Sequence, residues 1–295
     1  MSKQKENGIG WCDYTFNPWI GCTKVSPACD NCYAQGIAKR FFPDAKWGNH
    51  QRVLTSEANW KKPLAWNRQA EKEGQRLKVF CGSMCDVFDN KANPYTFAKL
   101  LLLVWETPYL DWLFLTKRIG NAHKLLRWAS DRIFAEEVVL ENLWLGITVC
   151  NQEEADRDIP KLLQIPAAKR FLSIEPMLGA VDLDRYLGCG DPLCECGDRG
   201  VDWVIVGGET GHKARPMWPE WARSIRDQCQ GAGVPYFFKQ WGEFLWCDTP
   251  PKPRWKWHTD QSPKPMPNSA GLYQVGKKKA GCLLDGREWK EFPSE

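Results

Sequence analysis

Short apolar runs alternate with helix-like segments along most of the chain, and this alternation restricts the fold more than any other feature. Six runs rich in β-branched or aromatic residues recur at positions 79–81, 112–116, 144–149, 170–174, 203–206 and 236–238. Such runs are typical of strands that are buried on both faces of a parallel sheet. A further strand is expected near residues 15–20.

Helical periodicity appears between these runs. Four apolar residues recur with the spacing i, i+3, i+4, i+7: Ala122, Leu125, Leu126 and Ala129. A second face precedes two glycine stop signals, in the order Trp221, Ile225, Cys229, Gly231 and Gly233. Both patterns are those of helices with one apolar face. The chain is therefore predicted to be an α/β protein whose βα units form a partial or full parallel (β/α) barrel.

The predicted domains follow from a change in composition. Residues 1–245 carry the alternating pattern, with a cysteine-rich insertion at 188–200. Residues 246–295 hold nine Lys and Arg against six Asp and Glu, and they are rich in Pro and Trp. We expect this second part to be an irregular basic arm that packs on the barrel.

The chain offers no membrane signal, and its cysteines indicate another role than cross-linking. Its longest apolar run, 100–105, is far too short to span a bilayer, and no apolar stretch follows the charged amino terminus. We therefore expect a cytoplasmic location and no membrane partner. In that setting thirteen cysteines, an odd number, indicate metal binding or catalysis.

Polar residues follow most of the predicted strands. In chain order they are Asp86, Lys117, Arg118, Asn151, Glu175, Glu209, Lys239 and Gln240. In a parallel barrel the carboxyl ends of the strands form the face where substrates bind. A single such charge is commonly an ordinary solvated loop residue, but the series favours a site on that face.

Three cysteines form the most informative motif. Cys22, Cys29 and Cys32 have the spacing Cys-x6-Cys-x2-Cys, directly after a predicted strand and before a helix. Thiolates select zinc or iron–sulfur clusters. A structural zinc site would need a fourth ligand, for which the nearby candidates are Cys12, Asp30 and His50. A 4Fe-4S cluster held by three cysteines would leave one iron open. Residue chemistry leaves both metals, and free thiols, as alternatives.

With Tyr33 directly after the last cysteine, this triad in the first loop of a βα barrel resembles that of the radical S-adenosylmethionine (SAM) enzymes. Those enzymes mostly carry Cys-x3-Cys-x2-Cys, so the first gap here is longer. The wording CTKVSPxCxNCYA is similar to that of a phage-associated branch. The other matching segments are VFCGSMCDVF, FLTKR, LGITV, SIEPMLG, VIVGGETG, ARPM, FFKQWGE and LLDGREW.

The resemblance implies a radical SAM barrel, a set of cofactors and a role for each site residue. The triad would hold a 4Fe-4S cluster whose open iron binds SAM, and an external electron donor would supply the electron for SAM cleavage. The implied cofactor-binding residues are Tyr33, Gly82, Ser83, Gly207, Gly208 and Glu209. The implied catalytic residues are Glu175, Lys117 and Lys239.

Two further features concern metal and nucleic acid. A second cysteine group, Cys189, Cys194 and Cys196, indicates either another metal site or a loop with free thiols. The basic arm interleaves Trp255 and Trp257 with lysine and arginine. Positive charge contacts phosphates and aromatic rings stack on bases, so this arm is either a nucleic-acid contact or a solvated lid.

For the reaction, the phage-associated resemblance implies thymine hypermodification in DNA. The expected enzyme is an isomerase that converts N-linked glycinyl-thymidine to the C-linked form in the host cytoplasm and so helps the phage to evade restriction. Its partner would be DNA carrying modified thymine. One alternative is another radical SAM modification or repair of nucleic acid. The other is a non-enzymatic, zinc-bound nucleic-acid-binding module.

Overall fold

The computed structural model describes residues 9–44, 47–136, 138–188, 200–247 and 271–294, together with the backbone of 256–257. The chain divides into two compact units. The first comprises Met1–Thr148 and Arg157–Leu172, and the second comprises Val149–Asp156 and Ser173–Glu295.

Strands and helices alternate as the sequence predicts between residues 77 and 174 and again between 203 and 240, whereas no α-helix is described between 175 and 202. The strands are β1 (Tyr14–Phe16), β2 (Trp19–Ile20), β3 (Val53–Leu54), β4 (Leu77–Cys81), β5 (Leu110–Thr116), β6 (Leu143–Thr148), β7 (Lys169–Ile174), β8 (Trp203–Gly207), β9 (Tyr236–Gln240), β10 (Phe244–Cys247), β11 (Lys256–Trp257) and β12 (Gly271–Gln274). The helices are α1 (Tyr33–Phe41), α2 (Glu57–Trp60), α3 (Lys62–Glu73), α4 (Pro94–Trp105), α5 (Ile119–Phe134), α6 (Gln152–Leu163), α7 (Pro219–Gly231) and α8 (Lys277–Ala280).

The six apolar runs are the strands β4 to β9, and the predicted α/β class with parallel strands is confirmed. The seven-stranded sheet has the order β1-β4-β5-β6-β7-β8-β9. The pairs β1–β4, β4–β5, β5–β6 and β8–β9 are parallel. This order is consistent with a partial (β/α) barrel. Every residue of β6 and of β8 is buried, as strands covered on both faces require.

The expected single strand at 15–20 is wrong, because two short strands replace it. β1 pairs with β4 in the large sheet, whereas β2 pairs antiparallel with β3 in a separate one. Asn17 and Pro18 lie between them. Proline restricts the residue before it and donates no backbone hydrogen bond, so the ladder of β1 stops there.

Aromatic side chains fill much of the core of the first unit. Trp11, Trp19 and Trp112 are at most 2% exposed. The Phe16 ring meets the Trp112 ring edge to face, with centroids 5.5 Å apart. The indole of Trp112 donates to Thr107 Oγ1 at 2.9 Å. These tryptophans are therefore core residues and not surfaces for stacking.

The second unit contains the described part of the carboxyl-terminal arm, which is less irregular than expected. Strands β10, β12 and β11 form a three-stranded antiparallel sheet in that order. Phe238 N donates to Trp289 O, and the Trp203 indole donates to Glu291 O. Residues 271–294 are therefore attached to β8 and β9 by hydrogen bonds. Leu272 of β12 packs with Phe244 of β10 and with Ala214 in one buried apolar cluster, which stabilises this sheet.

Several expectations fall on positions outside the described residues. These are the second cysteine group, Cys189, Cys194 and Cys196, and most of the Pro- and Trp-rich stretch 250–267. Within the described ranges, no helix combines the length and the apolar character that crossing a bilayer requires.

Candidate functional site

The three-cysteine loop follows β2 directly and leads into α1. Gly21 N donates to Met84 O at 3.1 Å, which ties the start of the loop to the segment after β4. A short 3₁₀ turn, Pro27–Cys29, is capped by the Ser26 hydroxyl, which accepts from Ala28 N. Cys32 is the residue that precedes the first turn of α1. The loop and its helix therefore have the predicted positions.

The three thiols differ in exposure, and none of them is in a disulfide. Cys29 is buried, whereas Cys22 and Cys32 are partly exposed. Cys32 packs against a small apolar cluster that includes Ile20 and Met84. Among the residues that the structure describes, no three His, Cys, Asp or Glu side chains are grouped closely enough to hold a metal ion.

The turn after β4 connects the predicted cofactor residues Gly82 and Ser83 to Tyr33. Tyr33 Oη donates to Ser83 O at 3.2 Å, although the tyrosine ring is largely exposed. Gly82 has a φ of 101°, a left-handed conformation that glycine adopts without strain. Asn17 Nδ2 donates to Ser83 Oγ, and Asn17 Oδ1 accepts from Met84 N. The structure thus brings Tyr33, Gly82 and Ser83 together.

A buried arginine contacts the first cysteine of the motif. Arg118 Nη1 donates to Cys22 Sγ at 3.5 Å and to Asp86 Oδ2 at 3.0 Å, while Arg118 Nη2 donates to Thr23 O at 2.6 Å. The Arg118 side chain is 8% exposed and that of Asp86 7%. Asp86 also accepts from the Thr116 hydroxyl at the end of β5. The cysteine loop is therefore attached to the carboxyl ends of β4 and β5.

A second buried ion pair lies beside the first. Arg52 Nη2 is 2.7 Å from Asp89 Oδ2, and both side chains are at most 2% exposed. Arg52 also donates to Thr23 Oγ1 at 2.7 Å and to Gly48 O at 2.9 Å. Asp89 Oδ2 is 4.0 Å from Arg118 Nη2, so the two pairs form one network. Two arginines and two aspartates thus surround the loop with hydrogen bonds that satisfy their charges.

The charges around Cys22 have opposite effects on its thiol. Burial raises the pKa of Cys22 most, and the negative charge of Asp86 raises it further, whereas Arg118 lowers it; the result is about 11. For Arg118 itself, burial opposes the positive charge, but Asp86 and the Cys22 sulfur raise its pKa above the ordinary value. The guanidinium is therefore fully charged in this environment.

The predicted catalytic residue Lys117 lies next to this network. Its backbone N donates to Asp86 Oδ2 at 3.0 Å, and its ammonium donates to Thr148 Oγ1 at 3.1 Å. Thr148 is the last residue of β6. Lys117 therefore joins the ends of β4, β5 and β6 within the first unit.

In the second unit, Glu175 and Lys239 form an ion pair. Lys239 Nζ is 2.6 Å from Glu175 Oε1, and their side chains are 17% and 20% exposed. Glu175 follows β7, and Lys239 lies in β9. A Cβ added to Gly207 would lie 3.3 Å from the Glu175 side chain. Three of the predicted site residues are thus together here.

The other two predicted residues of this unit serve internal contacts. A Cβ on Gly208 would lie 2.1 Å from Trp241 O, so glycine is required by the neighbouring backbone. Both Glu209 oxygens accept from Arg215, at 2.6 Å for Oε1 and 2.9 Å for Oε2. These contacts explain the Gly-Gly-Glu sequence in structural terms. Cofactor binding by Gly208 and Glu209 stays a prediction.

Sequence reasoning missed part of this site. Arg52 lies in a polar stretch without periodicity, and Asp89 follows Asp86 in a turn. Asn17 falls within the strand that was expected at residues 15–20, so it was not considered as a site residue. The signal that could have found Asp89 is the pair of aspartates three residues apart in the loop that follows β4, since such loops lie at the carboxyl ends of the strands.

These features define a parallel α/β protein with a three-cysteine loop that is held by buried arginine–aspartate pairs. The chain belongs to a family described as proteins of unknown function, DUF5131, whose model matches residues 6–293. No curated protein and no solved structure matches the chain.

Three soft thiol donors on one loop, outside any disulfide, are the donor chemistry that an iron–sulfur cluster with one open iron takes, although the described side chains do not converge on one metal-binding point. The apolar residues beside Cys32 provide a partly dry surrounding. The guanidinium N–H on Cys22 Sγ suits a sulfur that carries negative charge as a metal ligand.

Proposed function

We propose that this protein is a radical SAM enzyme of phage DNA thymine hypermodification, built on a barrel of the radical SAM type. The observation that carries the proposal is the loop of Cys22, Cys29 and Cys32 after β2, held by a buried arginine. The proposed reaction isomerises N-linked glycinyl-thymidine to the C-linked form in the host cytoplasm. The choice of this reaction comes from the resemblance of the sequence CTKVSPxCxNCYA to that of the phage-associated branch.

Cys22, Cys29 and Cys32 would hold the 4Fe-4S cluster. When bound, the cluster would supply the electron from an external donor that cleaves SAM for hydrogen-atom abstraction at the substrate carbon beside the amine; the adduct would then rearrange, and the product radical would be quenched by return of a hydrogen atom. The contribution of the protein is to hold the reacting groups in position and to exclude water. Tyr33, Gly82 and Ser83, which lie together, are assigned to SAM.

Glu175 and Lys239 are assigned to the glycinyl group. An ammonium beside a carboxylate is complementary to the carboxylate and the amine of glycine. Gly207 lies against the Glu175 side chain, which a Cβ at that position would approach to 3.3 Å. In this role Lys239 holds the substrate carboxylate, and Glu175 holds the proton of the amine while the glycinyl group moves.

DNA is the proposed macromolecular partner. The three lysines of α8, Lys277, Lys278 and Lys279, are exposed, and they provide positive charge for phosphate contacts. A thymine inside a duplex would be flipped out of the stack before reaction. Lys117, Gly208 and Glu209 complete the set of residues that the proposal assigns to cofactor or catalysis.

The test begins with anaerobic purification and measurement of iron, sulfide and zinc. We expect a brown protein that cleaves SAM to 5′-deoxyadenosine when a reductant is added. Cys29→Ala should lose the chromophore and all SAM cleavage. Cys229→Ala is the matched control, because Cys229 is a buried cysteine of α7 outside the triad. This control should keep both properties.

A DNA oligonucleotide that carries N-linked glycinyl-thymidine tests the reaction itself. The expected product has the same mass as the substrate and a different retention time in nucleoside chromatography with mass spectrometry. A product of different mass would contradict the isomerase assignment and would indicate another radical SAM modification or repair reaction. A colourless protein with zinc alone would overturn the enzymatic proposal and favour a zinc-bound nucleic-acid-binding module.

A further inference from the structure

We propose that Arg118 is a positioning residue of the cluster site, which fixes Cys22 and donates a charged hydrogen bond to its sulfur. This inference rests on the proposed function, because it treats Cys22 as a cluster ligand. It adds a residue from outside the cysteine motif, at a distance of 96 positions along the chain.

The geometry of Arg118 is suited to this role. Its two terminal nitrogens contact two consecutive residues of the loop, Cys22 through sulfur and Thr23 through the carbonyl oxygen. A planar guanidinium presents several N–H groups in fixed directions, so it can hold two neighbouring acceptors at once. An ordinary surface arginine would have the freedom to leave them, but this side chain is 8% exposed.

Hydrogen bonds at the ends of two strands hold Arg118 in place. Arg118 is the residue before α5, and its backbone N donates to the Thr116 hydroxyl at the end of β5. Asp86, which follows β4, accepts from both Arg118 and Thr116. The guanidinium is therefore held by the ends of two parallel strands, and the loop takes its position from them.

The neighbouring arginine shows a different role. Arg52 binds the Thr23 hydroxyl and the carbonyl oxygens of Gly48 and His50, so it supports the backbone of the loop. Arg118 in contrast reaches the ligand atom itself. Hydrogen bonds to cluster sulfurs stabilise the more negative, reduced state and raise the reduction potential. Arg118 should therefore act on the potential as well as on the position of Cys22.

The test compares Arg118→Gln and Arg118→Lys with the matched control Arg76→Gln in the anaerobically reconstituted full chain. Arg76 also pairs with a buried aspartate, Asp111, but this pair lies near the start of β5, about 17 Å from its other end at 3.3 Å per residue. The readouts are iron and sulfide per chain, the reduction potential from a titration followed by electron paramagnetic resonance, and circular dichroism.

We expect Arg118→Gln to shift the potential to more negative values or to lose iron, while Arg76→Gln keeps the wild-type values. Arg118→Lys keeps the buried charge, should give a smaller shift, and provides the measurement if the glutamine variant does not fold. Unchanged iron content, potential and resonance signal in the folded Arg118 variants would overturn the inference alone. A wild-type protein that binds no cluster would overturn the proposed function as well.

Discussion

Lys239 Nζ donates to Glu175 Oε1 at 2.6 Å, which joins β9 to the residue that follows β7. The pair is mostly buried, and the Gly207 backbone lies against the Glu175 side chain. Because the two side chains contact each other, the effects of substituting Glu175 and Lys239 on the free energy of unfolding should not be additive.

We expect Glu175→Gln and Lys239→Met to be coupled in stability by about 1 kcal/mol, since each single change leaves an unpaired charge or a lost contact. Urea unfolding of both single variants and of the double variant measures this coupling. Each single variant should also reduce conversion of glycinyl-thymidine DNA by roughly 100-fold, with iron content unchanged. Strictly additive free energies would show that the two side chains do not interact in solution.

Gly208→Ala should destabilise the protein by about 3 kcal/mol, because the added Cβ would lie 2.1 Å from Trp241 O and a backbone atom cannot easily move. Gly120→Ala is the matched control, since α5 offers open space at that position. This control should stabilise by about 0.5–1 kcal/mol. Both values come from chemical denaturation. Equal effects of the two substitutions would contradict the close approach at Gly208.

Asp89→Ala should cost about 3–5 kcal/mol, because it leaves the buried Arg52 without its charged partner. An exposed acidic residue provides the comparison. Glu220 pairs with Arg223 at 3.9 Å and is 67% exposed, so Glu220→Ala should cost less than about 1 kcal/mol. Thermal and urea unfolding of both variants give the two values. A loss of less than about 1 kcal/mol in the free energy of unfolding of Asp89→Ala would show that Arg52 and Asp89 do not form a buried ion pair in solution.

Cys229 should make the protein less stable at alkaline pH. Burial raises the pKa of this thiol to about 12, and the charge of Glu291 adds to the shift. The stabilising contribution is complete below the thiol pKa of the unfolded chain, about 8.5, and is lost as the pH rises toward 12. The stability difference between wild type and Cys229→Ala should therefore shrink over that range. A difference that is independent of pH from 8 to 11 would refute this linkage.

The apolar runs predicted the strands of the large sheet because a strand that is buried on both faces consists of consecutive apolar residues. β6 and β8 are buried along their whole length, and the runs at 144–149 and 203–206 show it directly. The apolar periodicity that predicted α5 and α7 is likewise a property of neighbouring residues. α7 ends at Gly231 as predicted.

The break between β1 and β2 has one local cause, Pro18, and one that only the tertiary structure supplies. Asn17 bonds to Ser83 and Met84, more than sixty positions away, and these contacts hold the chain in its turn. The expected single strand considered only the apolar character of 15–20. Pro18 ends the ladder of β1, and hydrogen bonds from the distant segment 83–84 then fix the position of Asn17.

By itself the sequence determined the α/β class, the positions of the buried strands along the chain and the place of the three cysteines between a strand and a helix. Only the tertiary structure decided which charges pair: Arg118 with Cys22 and Asp86, and Lys239 with Glu175. The burial of a strand can be predicted from the apolar character of adjacent side chains. An ion pair forms only where the folded backbone brings together residues that are thirty to almost a hundred positions apart in the sequence.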